Sequence, residues 1–374
     1  MIYSQNENAT TFIFQDGEYY INDILNVTKE NIKFIGLSKN PKSVHIIQNN
    51  SEKDGLNIIT NNFTMQFISV HVEYNDKIAL IVASANNLYI DSCYFYGNKT
   101  TFTIYFAGPK TLKAGQSTID GYNNNILDQN NVFKNNVVYS QWSGDAVSFS
   151  LQNNGIFHNN IVRGGKLVIY MCKNSDINKN IFYDSINTGI HISFPSHNVS
   201  IINNKIYECI ASGIKSSNQT EHGFIGKSPY NLIIKNNFIY DAKIYAIELN
   251  NAYKCLITGN KLISTDIYGI YVLASSGVTI SKNKISYFDV AIWFETTLNS
   301  TVMNNTFLSV YPSQGKNIVK LSDDSSYNSI RDNRSKGTII YDKYINPSKT
   351  IGNDIFNNTH EEYYDIAEEM ECMK

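Results

Sequence analysis

A set of chemically capable side chains recurs at one distance from a repeated asparagine. The set lies ten or eleven residues after five successive asparagines and consists of His191, Lys215, Glu248, Tyr271 and Trp293. An amine or imidazole can move a proton, a carboxylate can orient a hydroxyl group, and an aromatic ring offers an apolar surface to a sugar ring. The pattern predicts a polysaccharide site in which Lys215 is the base, His191 the acid or charge neutraliser and Glu248 the orienting group. Tyr271 and Trp293 would bind the carbohydrate.

An insertion that follows Lys215 favours this hypothesis. Residues 216–229 lengthen one repeat and bring His222 and Lys227, two further candidates for carbohydrate binding, towards the same surface. The alternative is an ordinary solvent-facing sheet surface, on which Lys215 and Glu248 pair across neighbouring strands for roughly 0.5 kcal/mol. Both interpretations require the side chains to stand in one row.

A second set consists of carboxylates four residues after three successive asparagines, namely Asp184, Glu208 and Asp241. Carboxylates on adjacent coils repel each other unless they bind a cation, share a proton or are well solvated. Adjacent coils would bring two carboxyl groups to about 5 Å, the separation that retaining glycosidases use. Calcium would suit such a cluster of hard oxygen ligands, whereas a solvated turn would need no ligand. The histidines have no metal-ligand spacing, so no residue is assigned to a metal through histidine and no cofactor other than calcium is considered.

All these positions depend on a repeat. Its asparagine has an apolar residue three positions earlier and usually another two positions later, and it occurs at Asn136, Asn160, Asn180, Asn204, Asn237, Asn260, Asn283, Asn305 and Asn333. Successive asparagines are 20 to 33 residues apart, which indicates a solenoid. Apolar residues alternate with period two, so each coil is predicted to consist of short strands. The asparagine should form a corner with left-handed backbone angles, and its amide should bond to its equivalents in neighbouring coils.

One unit of the repeat reads Ile201-Ile202-Asn203-Asn204-Lys205-Ile206 and is followed by Gly213-Ile214-Lys215. Units of this kind resemble the parallel β-helix repeat of the pectate-lyase-like superfamily. The resemblance implies an all-β chain, a single-stranded right-handed parallel β-helix solenoid of about eleven coils. It also implies three regions: an N-terminal cap with entry strands at 1–54, the parallel β-helix at 55–340, and a C-terminal tail at 341–374. The tail is predicted to contain a short acidic helix, because Thr359 and Glu362 fit a capping box.

The same resemblance leaves two functions in competition. The superfamily includes polysaccharide lyases, glycoside hydrolases, epimerases, phage and viral spike proteins, and repeat proteins without known catalysis, and the fold alone does not choose among them. The first hypothesis is a carbohydrate-active or glycan-binding protein, which would be a lyase or a hydrolase if it is catalytic. The second is a non-catalytic structural protein of a virion or cell surface, working as a homo-oligomer or within a larger assembly.

The amino-acid composition limits the kinds of partner that this protein is expected to bind. The net charge is −2 and no basic block is present, so nucleic acid is not expected as a partner. No run of about 18 apolar residues predicts a membrane span, and no secretory signal is visible at the N-terminus, which leaves a virion or an extracellular location reached by another route as expectations. The five cysteines show no paired spacing, so buried free thiols are predicted instead of a disulfide framework.

Overall fold

The computed structural model divides the chain into two units, Met1–Ser200 and Ile201–Lys374, which are called unit 1 and unit 2. It describes residues 10–50, 52–72, 79–97, 102–109, 118–140, 144–193, 195–217, 228–263, 267–309, 317–337 and 350–361. In both units the chain winds through three parallel sheets in turn, called sheets 1, 2 and 3, and every strand pairs with its equivalent in the next coil. This is the parallel solenoid that the repeat predicts.

The strands of unit 1 follow the three-sheet order from Thr11 onward. Those of sheet 1 are Thr11–Phe14, Lys33–Gly36, Thr64–Gln66, Tyr89–Asp91, Val132–Lys134, Ile156–His158 and Asp176–Asn178. Those of sheet 2 are Gly17–Ile21, Val44–Gln48, Ser69–Val72, Tyr94–Gly97, Val137–Ser140, Ile161–Arg163 and Ile181–Tyr183. Those of sheet 3 are Leu25–Val27, Leu56–Ile58, Ile81–Ala83, Phe102–Phe106, Asp145–Ser150, Lys166–Tyr170 and Ile190–Ser193. Unit 1 also has the short pair Asp128–Gln129 and Gln152–Asn153 and the helix Thr118–Asn123.

Unit 2 repeats the same order. After Ser200–Ile202, which contains the boundary between the units, its sheet 1 strands are Ile233–Lys235, Leu256–Thr258, Thr279–Ser281, Thr301–Met303, Ser329–Arg331 and Asp354–Phe356. Its sheet 2 strands are Lys205–Cys209, Phe238–Ala242, Lys261–Ile263, Lys284–Ser286, Thr306–Ser309, Arg334–Gly337 and Thr359–Glu361. Its sheet 3 strands are Ser212–Ser217, Tyr245–Asn250, Tyr268–Leu273, Val290–Glu295 and Asn317–Ser322.

The predicted asparagine ladder is present at the corner between sheets 1 and 2. In unit 2 the side-chain nitrogen of Asn237 donates to Oδ1 of Asn260 at 3.0 Å, and that of Asn260 donates to Oδ1 of Asn283 at 2.9 Å. In unit 1 the amide of Asn160 bonds to Asn180 in the same way at 3.0 Å. These side chains are almost completely buried, so each amide has to find its partners within the corner.

The left-handed backbone angle belongs to a different residue from the one predicted. It occurs at the position before the ladder asparagine, where Asn159, Asn203 and Asn236 have φ of 54°, 56° and 54°. Glycine replaces this residue once, at Gly259 with φ of 67°, where a Cβ atom would come within 2.4 Å of Oδ1 of Asn236. The first asparagine of each pair therefore makes the turn, and the second fills the corner.

Inside the coils, apolar side chains stack along the solenoid. The rings of Phe133 and Phe157 lie 5.4 Å apart and nearly parallel, at 4°. Cys93 occupies the ladder position of an irregular coil, where its backbone N–H donates to Oδ1 of Asn136 at 2.8 Å. Four of the cysteines, Cys93, Cys172, Cys209 and Cys255, are free and buried, which confirms the prediction for those four.

The all-β class and the parallel β-solenoid are confirmed, with about 12 coils against the expected eleven. The termini differ from the prediction in detail. Solenoid strands begin at Thr11, inside the region assigned to a cap with entry strands, and continue to Thr359–Glu361, inside the predicted tail. Thr359 does not begin a helix, because its segment pairs with Arg334–Gly337 as a strand; Glu362 lies outside the described residues.

Candidate functional site

The column predicted from the asparagine offset exists in unit 2. On sheet 3 the structure aligns, coil by coil, Lys215, Glu248, Tyr271, Trp293 and Lys320. Four of these five residues are those that the sequence placed in one row. The register follows from the ladder, because coils that share a corner bring residues at equal distances from it next to each other.

Lys215 and Glu248 form a partly buried ion pair at the start of this column. Nζ of Lys215 lies 2.8 Å from Oε1 of Glu248, and the two side chains are 32% and 7% exposed. The hydroxyl of Ser212 donates to Oε2 at 2.7 Å, and the side-chain nitrogen of Asn250 donates to Oε1 at 2.8 Å. Three donors thus hold the buried carboxylate, as a buried charge requires.

An aromatic cluster continues the surface over the next two coils. The ring of Tyr245 stacks on those of Tyr268 and Tyr271, with centroids 5.1 and 4.9 Å apart and interplanar angles of 18° and 14°. Trp293 is tilted by 45° to Tyr268 and by 50° to Tyr271, at 5.1 and 4.9 Å. Tyr271 is only 8% exposed, so Tyr245, Tyr268 and Trp293 form the accessible part of this cluster.

Polar partners fix the far end of the cluster. The hydroxyl of Tyr271 donates to Oε2 of Glu295 at 2.8 Å, and Nε1 of Trp293 donates to the hydroxyl of Ser322 at 2.8 Å. The ammonium group of Lys320 lies 3.8 Å from the centroid of a Trp293 ring, a favourable cation–π contact. The described surface therefore carries two lysines and two glutamates around aromatic rings.

The pKa values of two tyrosines reflect the negative charge of those glutamates. Burial, followed by the charges of Glu248, Tyr268 and Glu295, raises the pKa of Tyr245 to about 12. Burial, the hydrogen bond to Glu295 and that residue's charge raise the pKa of Tyr271 further. Both phenols therefore stay protonated at neutral pH and can act as hydrogen-bond donors.

His191 lies in unit 1, on the strand Ile190–Ser193, and the structure pairs it with Val168 of the preceding coil. Val168 in turn pairs with Ser148. Val168 is 7% and Ser148 3% exposed, so the two residues in register before His191 contribute little to the surface. The predicted cooperation of His191 with Lys215 stays a prediction.

The carboxylate column is solvated and has basic neighbours. Asp184 lies 2.8 Å from Nε of Arg163, with both side chains more than a third exposed, and Asp241 lies 2.7 Å from Nζ of Lys243. Glu208 faces Asp241 in register, since the residues on either side of the two are paired. All three have positive φ, between 54° and 57°, and therefore stand at a turn. In the described part of the chain no group of three His, Cys, Asp or Glu residues could hold a metal ion, and calcium stays a prediction.

Two predicted candidates lie outside the described residues, and three residues of the surface were not predicted from the sequence. His222 and Lys227 lie outside the described residues. Tyr245 and Tyr268 were missed because they stand three residues before Glu248 and Tyr271, whereas strict alternation gives even spacings. Two consecutive buried residues, Ala246 and Ile247, cause the shift. Lys320 was missed because it follows Asn305 by 15 residues, not ten or eleven.

Comparisons with known proteins agree with the fold. Residues 222–364 match the family model described as "Right handed beta helix region". The A-module of a mannuronan C-5 epimerase from Azotobacter vinelandii superimposes with a TM-score of 0.62 at 16% identity, covering 94% of this chain and 92% of that one. The chain has the fold of the right-handed parallel β-helix proteins. A search of curated proteins found no match.

Other β-helix proteins with this fold differ widely in kind. The pre-mature gene product 12 of bacteriophage phi29 has a TM-score of 0.64 at 11% identity, covering 94% of this chain and 52% of that one. A mannuronic acid specific polysaccharide family 6 lyase from human gut microbiota has a TM-score of 0.54 at 11% identity, covering 97% and 88%. Identities this low establish the fold and nothing finer. Within the described residues, no helix is long and apolar enough to cross a membrane.

Proposed function

We propose that this β-helix protein binds a polysaccharide along the outward face of sheet 3 in unit 2. The observation that carries the proposal is the aromatic cluster formed by Tyr245, Tyr268, Tyr271 and Trp293 beside a fixed carboxylate. The C–H face of a sugar ring packs on aromatic side chains, while its hydroxyl groups bond to carboxylates and amides. Strands about 4.8 Å apart repeat these contacts along a line, which suits a polymer better than a single small molecule.

Two of the structurally similar proteins support a polysaccharide ligand. The epimerase is named for mannuronan, and the gut lyase is named for a mannuronic acid polysaccharide. Both alignments cover at least 94% of this chain. Their ligands are not transferred to this protein, but they make a polymer of sugars the natural first class to test.

Binding is the activity that this geometry supports best. To act as a base, Lys215 would have to lose a proton and give up its ion pair with Glu248, because an ammonium group cannot accept a proton. The predicted roles of Lys215, His191 and Glu248 in a lyase or hydrolase reaction therefore stay predictions. Elimination on a uronate polymer would give unsaturated products that absorb ultraviolet light, so a spectrophotometric assay tests that reaction directly.

A structural role is the second candidate, and the similarity to the phage gene product favours it. A protein that serves only as a scaffold needs no sugar contact on sheet 3. It should bind no glycan, and the aromatic cluster should then contribute to packing alone.

The experiment is a binding screen against a polysaccharide array, followed by titration of the best ligand. Trp293→Ala should weaken binding by about tenfold or more, because a half-buried aromatic contact is lost. The matched control is Tyr253→Ala, which removes an aromatic ring that is 47% exposed at a corner outside the cluster and should leave affinity unchanged. Thermal unfolding of both variants verifies that they fold. Equal affinities of the two variants, or no ligand at all, would refute the proposal.

A further inference from the structure

The charges on the aromatic surface of unit 2 balance one another. Lys215 is already paired with Glu248 at 2.8 Å, and Glu295 accepts the hydroxyl of Tyr271 at 2.8 Å. The ammonium group of Lys320 lies over the ring of Trp293. The charges of these two lysines and two glutamates sum to zero. The described surface therefore has no surplus of cations with which to attract a polyanion.

The remaining hydrogen-bonding capacity consists mainly of acceptors. Oδ1 of Asn250 is buried and has no donor among the described residues, while the nitrogen of the same amide is used by Glu248. A carboxylate also has several acceptor sites, of which the described contact uses one on Glu295. The oxygen of Asn250 is buried, so a ligand on the surface does not reach it, whereas the carboxylate of Glu295 is partly exposed and can accept hydroxyl donors from a ligand.

The tyrosines indicate the sign of the local field. After burial, the charges of Glu248 and Glu295 contribute to the raised pKa values of Tyr245 and Tyr271. The same negative charge that disfavours a phenolate ion would disfavour any carboxylate brought to the surface. A neutral sugar ring escapes this repulsion and can still pack on Trp293.

We infer that the polysaccharide bound by sheet 3 of unit 2 is a neutral glycan, recognised through its hydroxyl groups, and not a polyuronate. The inference rests on the proposed function and narrows its ligand class. Glu295 accepts hydroxyl donors from the ligand, and the aromatic cluster packs against the C–H faces of the sugar rings. The fold relatives named for mannuronan and mannuronic acid thus share the scaffold but not this ligand class.

The test compares length-matched oligosaccharides of neutral polymers, such as a β-glucan, a galactomannan and chitin, with oligomers of mannuronate, guluronate and galacturonate. We expect at least one neutral oligomer to bind about tenfold or more tightly than any uronate, equivalent to about 1.4 kcal/mol. Its Kd should change less than about twofold between roughly 0.05 and 0.5 M NaCl, because no ion pair with the ligand is screened.

Two charge variants sharpen the result. Glu295→Gln removes one negative charge and should strengthen uronate binding, while Lys320→Gln should weaken it. The measured quantity is the ratio of uronate affinity to neutral-glycan affinity, which Glu295→Gln should raise and Lys320→Gln should lower by about threefold or more, because a charge acts on the uronate far more than on the neutral ligand. Thermal unfolding of both variants verifies that they fold.

The two proposals fail in different ways. Tight, salt-sensitive uronate binding that Trp293→Ala abolishes would overturn the neutral-glycan inference and leave the proposed function intact. The absence of binding to every oligomer would overturn the proposed function, and this inference with it.

Discussion

Two columns of unit 2 run coil by coil and yet differ in composition. The interior corner between sheets 1 and 2 repeats one residue type, with Asn204, Asn237, Asn260, Asn283, Asn305 and Asn333 bonded in series. The outward column of sheet 3 changes type at every coil, through Lys215, Glu248, Tyr271, Trp293 and Lys320. Both columns have the same register, so geometry alone does not explain the difference.

Hydrogen-bond chemistry explains the uniform column. A primary amide both donates and accepts, so it can satisfy an identical neighbour on each side without leaving a buried polar atom unpaired. The outward column has no such requirement, because its groups are satisfied by water or by different neighbouring side chains, not by one another alone. Its particular mixture of ions and aromatic rings is therefore not demanded by the fold, which makes it the better place to look for function.

The largest expected effect comes from breaking the uniform column. Asn237→Ala removes an oxygen that accepts from Asn204 and a nitrogen that donates to Asn260 and to the carbonyl of Ile201. The free energy of unfolding should fall by about 3–4 kcal/mol, because several buried partners lose their bonds. Urea denaturation measures the loss.

The neighbouring asparagine provides the control. Asn236 is exposed and has φ of 54°, which glycine adopts without steric cost. Asn236→Gly should change the free energy of unfolding by less than about 1 kcal/mol. If Asn237→Ala were as mild as this control, the ladder would not stabilise the corner.

A buried carboxyl group in unit 1, which contrasts with the buried amides of the asparagine column, gives the second test. Asp128, which is 3% exposed, is a carboxyl group in a buried corner where it pairs in register with Gln152. Its Oδ2 accepts from the backbone N–H of Ala85 at 3.1 Å. Burial raises the pKa of Asp128 to about 7, against the opposing hydrogen bonds from Ala85 and Gln152. The folded protein therefore holds a proton that the unfolded chain releases near pH 4.

This raised pKa determines whether stability rises or falls with pH. Between about pH 4 and pH 7 the folded state binds more protons than the unfolded state, so the contribution of Asp128 to stability is lost as pH rises. Asp128→Asn supplies a neutral amide and should remove this slope, making the variant about 2–4 kcal/mol more stable than the parent at pH 8 but not at pH 4. Parallel stability profiles from pH 4 to pH 8 would contradict the assignment.

The fold could be predicted from sequence because the spacing of the repeat determines how residues in neighbouring coils align. The spacing of the asparagines fixes the coil, and the period-two alternation fixes the strands. The turn geometry was assigned to the wrong asparagine, since left-handed angles and buried amides both favour this residue type and spacing alone does not separate Asn236 from Asn237. At the C-terminus, local helix signals at Thr359 were overridden by strand pairing with the preceding coil.

The site was predictable only where its strands keep a constant distance from the ladder. Glu248 and Tyr271 do so, each eleven residues after its asparagine, and Trp293 differs by a single residue; all three were placed in the row that the structure shows. Tyr245 stands off the alternation because Ala246 and Ile247 are both buried, and Lys320 follows a longer connection. The hydrogen bonds from Ser212 and Asn250 to Glu248 depend on side-chain conformations, which no residue count contains.

The smallest expected effect concerns the outward column itself. Lys215→Met leaves the carboxylate of Glu248, which is 7% exposed, with its donors Ser212 and Asn250 but no cation. The free energy of unfolding should fall by about 1 kcal/mol, discounted because the lysine is partly solvated. Glu248→Gln alone should cost a similar amount, yet the double variant should cost no more than either single change, because the pair is lost only once. Urea denaturation of the four proteins completes this cycle. Additive losses would mean that Lys215 and Glu248 do not stabilise the protein as a pair, and a loss as large as that of Asn237→Ala would mean that the fold requires the outward column after all.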